Sequence, residues 1–171
     1  ENSDYVGTTN AFREKYGKKI ATMHMPIIRD NKMKGYVSVI SGKAYEFTPG
    51  GRVETSVPEN MKAELEAVKD GLIEAAAESD ERLLDEYLNN GTLPNDDIII
   101  GVKKGLFAGD TVPVMGGSAI TNMGVINLMN EIVDILPNPQ ERKPVMATRL
   151  SDGGYIGVTC DENKPFSAQV F

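Results

Sequence analysis

The residues best placed to do chemistry form one run, Gly116-Gly117-Ser118-Ala119-Ile120, between an apolar stretch and an amphipathic one. Two glycines permit close backbone approach. The Ser118 hydroxyl can hold a turn, so the N–H groups that follow can point at a ligand's acceptor atom. Such a loop recognises a ligand; it does not make or break bonds. It lacks the Gly-Lys-Ser or Gly-Lys-Thr ending of a phosphate-binding loop and the Gly-x-Ser-x-Gly of a nucleophile elbow. Taken alone, an ordinary strand-to-helix connection accounts for it better.

The other reactive side chains are dispersed. His24 sits in an apolar run with no Cys, Asp or second His at ligand spacing, so it reads as a packed or edge histidine. Cys160 beside Asp161 reads as a small, reduced strand residue, and a lone cysteine cannot form an internal disulfide. The acidic run "ESDERLLDE" reads as a solvated helix face before a general-acid pair. The eight methionines fall at apolar positions and read as core filling. No catalytic constellation and no metal site is expected.

These residues need elements to hold them. Asn10 can cap a short helix through Tyr16, with Gly17 as its stop. "IATMHMPII" reads as one strand, placed at an edge by Pro26. "RDNKMKG" reads as a loop and "YVSVIS" as a half-buried strand. "KAYEF" and "RVETSV" around "TPGG" make a hairpin. After Pro58, the spacing of Met61, Leu65, Val68, Leu72 and Ala76 predicts a helix with one apolar stripe. Glu59, Lys62, Glu66, Lys69 and Asp70 occupy its opposite, polar face. A second helix follows, with Ser79 as cap and Gly91 as stop. A third, in "LPNDDIIIGVKKGLF", carries Asp96 and Asp97 near its positive end and Lys103 and Lys104 nearer its negative one. "TVPVM" reads as a short buried strand. "GVINLMNEIVDILP" reads as a helix whose apolar face is Val125, Leu128, Met129, Ile132, Val133 and Leu136, ended by Pro137. "NPQERKP" reads as a linker, and "VMATRLSDGGYIGVTC" as two strands around a turn.

At 171 residues the chain can bury a real core. Its net charge of -7 argues against a nucleic-acid-binding face, which needs clustered Lys and Arg. No apolar run approaches the roughly 20 residues of a membrane span. The start has neither an initiator Met nor a signal peptide, and "KPFSAQVF" ends on an alternating strand pattern. The chain therefore reads as a piece excised from a longer protein.

Three runs carry a resemblance. "GLIEAAAESDERLLDEYLNNGTL" resembles the translation elongation factor G family in the insert, called the G-prime subdomain, that interrupts its GTPase domain. "GGSAITNMGVINLMNEIVDILPNP" is similar to that family's fifth guanine-nucleotide motif and the helix after it. "KPFSAQVF" is similar to the strand that opens the following β-barrel domain, and "HMPIIRDNKMKGYVSVISGKAYEF" fits the first strands of the insert more loosely. The runs occur in the family's order and spacing.

The resemblance implies an α/β fold: a small, mostly antiparallel insert sheet packed with helices, on the remnant of a phosphate-loop GTPase domain. Residues 1–19 would be a GTPase-domain remnant and 20–108 the insert. Residues 109–139 would carry the last guanine motif, and 140–171 a linker and the start of the β-barrel domain. Ser118, Ala119 and Ile120 would be the guanine-binding residues, with the Ala119 amide meeting the guanine O6. Adenine would put an amino group there, leaving two donors facing each other. Many members have a Lys where this chain has Thr121; the backbone contact does not need that side chain. GTP or GDP with Mg²⁺ would be the cofactor of the whole protein, held by phosphate-binding and switch segments that lie outside this chain. The piece alone would bind no cofactor and turn nothing over. The whole protein would be a cytoplasmic, ribosome-activated GTPase of translocation. Its insert would dock the C-terminal domain of the ribosomal stalk protein through Glu59, Lys62, Glu66, Lys69 and Asp70. Direct nucleic-acid or membrane contact is not expected, and self-association through open strand edges is, with scattering mass as its readout. The alternatives are a ribosome-recycling paralogue, a tetracycline ribosomal-protection protein, or an interaction module that binds no nucleotide.

Overall fold

The computed structural model describes residues 4–30 and 32–168. Two compact units divide the chain, 1–136 and 137–171. The fold is α/β, with a small antiparallel sheet packed with helices. Glu1 to Ser3, the expected polar lead, lie outside the described residues.

In the first unit, helix α1 (Tyr5–Tyr16) starts six residues before the expected position. Asp4 is its cap: the carboxylate accepts from the Gly7 amide at 2.9 Å, and Asn10 falls mid-helix. Gly17 ends the helix at φ 64, a conformation that costs glycine little. The run read as one strand is two. Strand β1 (Ile20–Thr22) pairs in parallel with β6 (Val112–Val114). Strand β2 (His24–Arg29) belongs to an antiparallel sheet with β3 (Lys32–Ser38), β4 (Ala44–Thr48) and β5 (Gly51–Thr55), in the order β2-β3-β4-β5. Met23 joins the two sheets: its N–H donates to the Val114 carbonyl at 3.0 Å, and its carbonyl accepts from Val39 at 2.9 Å. Periodicity cannot reveal such a break, because Ala21, Met23 and Met25 are apolar on both sides of it. The expected loop "RDNKMKG" is largely strand, since β2 runs to Arg29 and β3 begins at Lys32.

Strand β3 is covered on both faces, where alternation suggested one. Met25, Ile27, Val37, Val39 and Ala44 enter the apolar core with Leu65, Val68, Leu72 and Ala76 of α2 (Lys62–Ala77). Leu83 of α3 (Glu81–Asn90) and Ile98 and Val102 of α4 (Asn95–Ala108) complete it. The opposite face is aromatic: Tyr36 is 2% exposed, and its ring lies 4.8 Å from His24, 5.3 Å from Tyr45 and 5.8 Å from Phe47. Helices α2 and α4 meet where Gly101 has no side chain; a Cβ there would approach the Ala76 carbonyl oxygen to 2.5 Å. The cap of α3 is Asp80, which accepts from the Arg82 and Leu83 amides, while the Ser79 hydroxyl turns back to the Ala76 carbonyl. Gly91 ends α3 in the left-handed region, as expected.

Two apolar expectations fail at the end of this unit. Strand β6 is not buried: Val112 is 47% exposed, because β1 is its one partner strand among the described residues. Helix α5 (Val125–Ile135) turns its apolar stripe outward. Leu128, Met129, Ile132, Val133 and Leu136 are all exposed, while Asn127 and Ile135 are buried.

In the second unit, β7 (Val145–Thr148) and β8 (Tyr155–Val158) form the expected hairpin. Its turn is closed by Arg149 and Gly154 and by an Arg149–Asp152 ion pair at 2.8 Å. The linker holds one turn of 3-10 helix, Pro139–Glu141, capped by Asn138. Cys160 is exposed and lies beyond β8 rather than within a strand. Of the run "KPFSAQVF", residues 164–168 carry no strand, and Gln169 to Phe171 lie outside the described residues.

Candidate functional site

Strand β6 delivers the chain to the Gly116–Gly124 loop, and α5 carries it away. The loop closes on itself: the Ser118 amide donates to the Met123 carbonyl at 2.8 Å, and the Thr121 amide reaches the Ser118 hydroxyl at 3.4 Å. Gly124 and Gly117 let the two limbs touch. A Cβ on Gly124, at φ 79, would stand 2.8 Å from the Gly116 carbonyl oxygen, and one on Gly117 would stand 2.9 Å from that of Met123. Closure uses the Ser118 and Thr121 amides and leaves those between them. Among the described residues nothing accepts from the Ala119 or Ile120 N–H. Ala119 is exposed and Ile120 is 98% exposed, whereas Ser118 is half-buried. The three expected base-binding residues therefore stand together on one tip, with a hydroxyl fixing the turn and two amides that bond nothing else among the described residues. That tip can donate hydrogen bonds to a planar acceptor; it holds no acid, base or nucleophile.

The five expected docking residues lie apart from this tip, on the outer side of α2 and the turn before it. Glu59, Lys62, Glu66 and Asp70 are exposed, and Lys69 is half-buried. Glu59 and Lys62 pair at 2.6 Å. A groove between α1 and α2 is lined by a different set, including Arg13, Lys18, Glu64, Ala67, Gly71 and Glu74.

A second polar cluster escaped the sequence reading. It lies between the aromatic face of the four-stranded sheet and α5, around a cavity of about 170 Å³. The His24 Nε2 meets the Glu131 carboxylate at 3.1 Å, with side chains 6% and 18% exposed. Arg52 lies over the Tyr45 ring at 4.7 Å and donates to the Tyr36 hydroxyl and, at 3.1 Å, to the Asn127 side-chain oxygen. Burial pushes the Tyr36 phenol above its ordinary value, with the Arg52 guanidinium working against that shift. Asn127, Glu131 and Ile135 are spaced by four residues and so share one helix face. That spacing was visible in the sequence, but the larger apolar stripe on the other side outweighed it.

Among the described residues no group of three or more His, Cys, Asp or Glu side chains could hold a metal ion, and no helix is long and apolar enough to cross a membrane. Nor does any buried side-chain nitrogen or oxygen there lack a partner.

No protein-family model matches the chain. Among solved structures, it is similar to the crystal structure of ttk003000868 from Thermus thermophilus. The two share 26% sequence identity and a TM-score of 0.74 over 86% of this chain. The match covers 23% of the Thermus chain, so this chain spans about a quarter of its length.

Proposed function

We propose that this chain is the insert and last base-contacting motif of an elongation factor G-like translation GTPase. The observation that carries the reading is the closed loop at Gly116–Gly124, whose Ala119 amide is left over after closure. A fixed, unpaired N–H donor rewards a carbonyl such as guanine O6 and disfavours the amino group of adenine. The ordered resemblance of three runs to the elongation factor G family supports it further. So does the match to one quarter of a longer Thermus chain, since an insert and a terminal motif are parts of something larger.

On this reading, Ser118 shapes the loop, Ala119 contacts the base, and Ile120 extends the contact surface. Phosphates and Mg²⁺ are held by the remainder of the protein, which supplies the chemistry. The polar face with Glu59, Lys62, Glu66, Lys69 and Asp70 docks the stalk protein in the cytoplasm. Interspersed charges of both signs suit a weak, salt-sensitive contact that speeds encounter more than it adds affinity.

The test is GTP hydrolysis by the full-length protein with and without ribosomes. Ribosomes should stimulate turnover, and the joint variant Glu66→Lys, Asp70→Lys should lose about tenfold of that stimulation while unstimulated hydrolysis is unchanged. The isolated 171-residue chain should show no turnover. Absence of ribosome-dependent hydrolysis in the full-length protein would remove the proposal. An undiminished stimulation in the variant would remove the docking assignment alone.

A further inference from the structure

We propose that His24 is a positioning residue that fixes the Gly116–Gly124 loop from both of its limbs. Its side chain holds the outgoing limb: Nε2 meets the Glu131 carboxylate at 3.1 Å, seven residues along the helix that leaves the loop. Its backbone holds the incoming limb through Tyr5. The Tyr5 hydroxyl donates to the His24 carbonyl at 2.7 Å. The Tyr5 ring in turn lies against Gly116, where a Cβ would come within 2.6 Å of two ring carbons. His24 is thus linked through Tyr5 to one limb and through Glu131 to the other of a loop that stands more than ninety positions away in sequence.

The location makes the residue stiff. His24 is the first residue of β2, immediately after the Met23 junction between the parallel pair and the antiparallel sheet. It is 5% exposed and packs on the Tyr36 ring. The Arg52–Asn127 hydrogen bond at 3.1 Å runs beside it and gives α5 a second polar attachment next to the His24–Glu131 contact. The apolar stripe of α5 is largely exposed, so the inward polar stripe and Ile135 carry much of the helix's placement. A contact made by one side chain on a rigid strand sets the helix start, and the helix start sets the turn that presents Ala119.

That the positioned loop serves a guanine rests on the function proposed above; the anchoring itself does not. Amide hydrogen exchange on the chain, followed residue by residue, reads the anchoring. His24→Leu should speed exchange about tenfold at Ser118, whose amide closes the loop, and at Leu128, whose amide bonds Gly124 in the first turn of α5. Exchange at Ser38 and in α4 should change much less. His24→Gln keeps a donor at the position of Nε2 and should restore the loop to within about threefold of the parent. Glu131→Ala, which alters no buried apolar group, should reproduce the leucine result. Uniform acceleration across the unit with no rescue by Gln would reduce His24 to a packing residue and overturn the proposal, as would an unchanged loop in both His24→Leu and Glu131→Ala. In the full-length protein, GDP should dissociate faster from His24→Leu than from His24→Gln. Equal dissociation alongside a loosened loop, or no GDP binding by the parent, would contradict the guanine reading and leave the anchoring standing.

Discussion

At the scale of single residues, the molecule uses short polar side chains to settle where backbone groups point. Ser118 closes a loop so that its neighbour's amide remains unpaired, and Asp4 and Asp80 each set the first turn of a helix. Asp80 does two things at once. Its carboxylate accepts from the Arg82 and Leu83 amides and pairs with the Lys104 ammonium across to α4. The Lys104 hydrogen bond, more than the backbone amides, holds its pKa below the usual aspartate value of 3.8. A lowered folded-state pKa means that the ionised form is favoured by folding. The stabilisation is therefore complete above the unfolded value and is lost as pH falls through the lower folded one. Chemical denaturation at a series of pH values should show the parent losing stability below about pH 4 by more than Asp80→Asn does. Parallel acid limbs for the two proteins would contradict the assignment.

At the scale of elements, helix α5 is the informative one. Its sequence advertises Leu128, Met129, Ile132, Val133 and Leu136 as the buried face, yet the unit packs the opposite side, through Asn127, Glu131 and Ile135. Ile135→Ala should cost about 2–5 kcal/mol, the usual penalty for a cavity in a packed core. Val133→Ala, at a position 78% exposed, should change stability by no more than about 0.5 kcal/mol. Urea unfolding of the two variants decides which face is inward, and equal losses would mean the face is misassigned. The helices α2, α3 and α4 were legible because the stripe of α2, the Gly91 stop of α3 and the end charges of α4 obey local rules. The β1–β2 break at Met23 was not, since hydrogen-bond partners from distant strands decide it. The glycine loop around Ser118–Ile120 was legible as the connection between a strand and a helix. The cluster of His24, Arg52, Asn127 and Glu131 was not, because four residues from β2, β5 and α5 look individually ordinary and meet only through the fold.

At the scale of the whole molecule, the first unit has one side that is finished and one that is open. The antiparallel sheet with α2, α3 and α4 encloses a continuous apolar core. The parallel pair β1 and β6 stands with exposed Val112, and α5 presents five exposed apolar side chains. Parallel strands are normally buried on both faces and flanked by further strands. Such an open side fits the proposal that this segment completes a larger nucleotide-binding domain. The central claim is that the Ala119 amide reads a guanine O6, and the most direct measurement compares two ligands on two proteins. Equilibrium binding of GDP and of 6-thioguanosine diphosphate, whose sulfur is a poorer acceptor, should be measured for the full-length protein and for Ala119→Pro, which has no N–H at that position. The parent should prefer GDP by about tenfold, and Ala119→Pro should bind both weakly and without preference. An unchanged preference for GDP in Ala119→Pro, or no saturable GDP binding by the parent, would contradict the account.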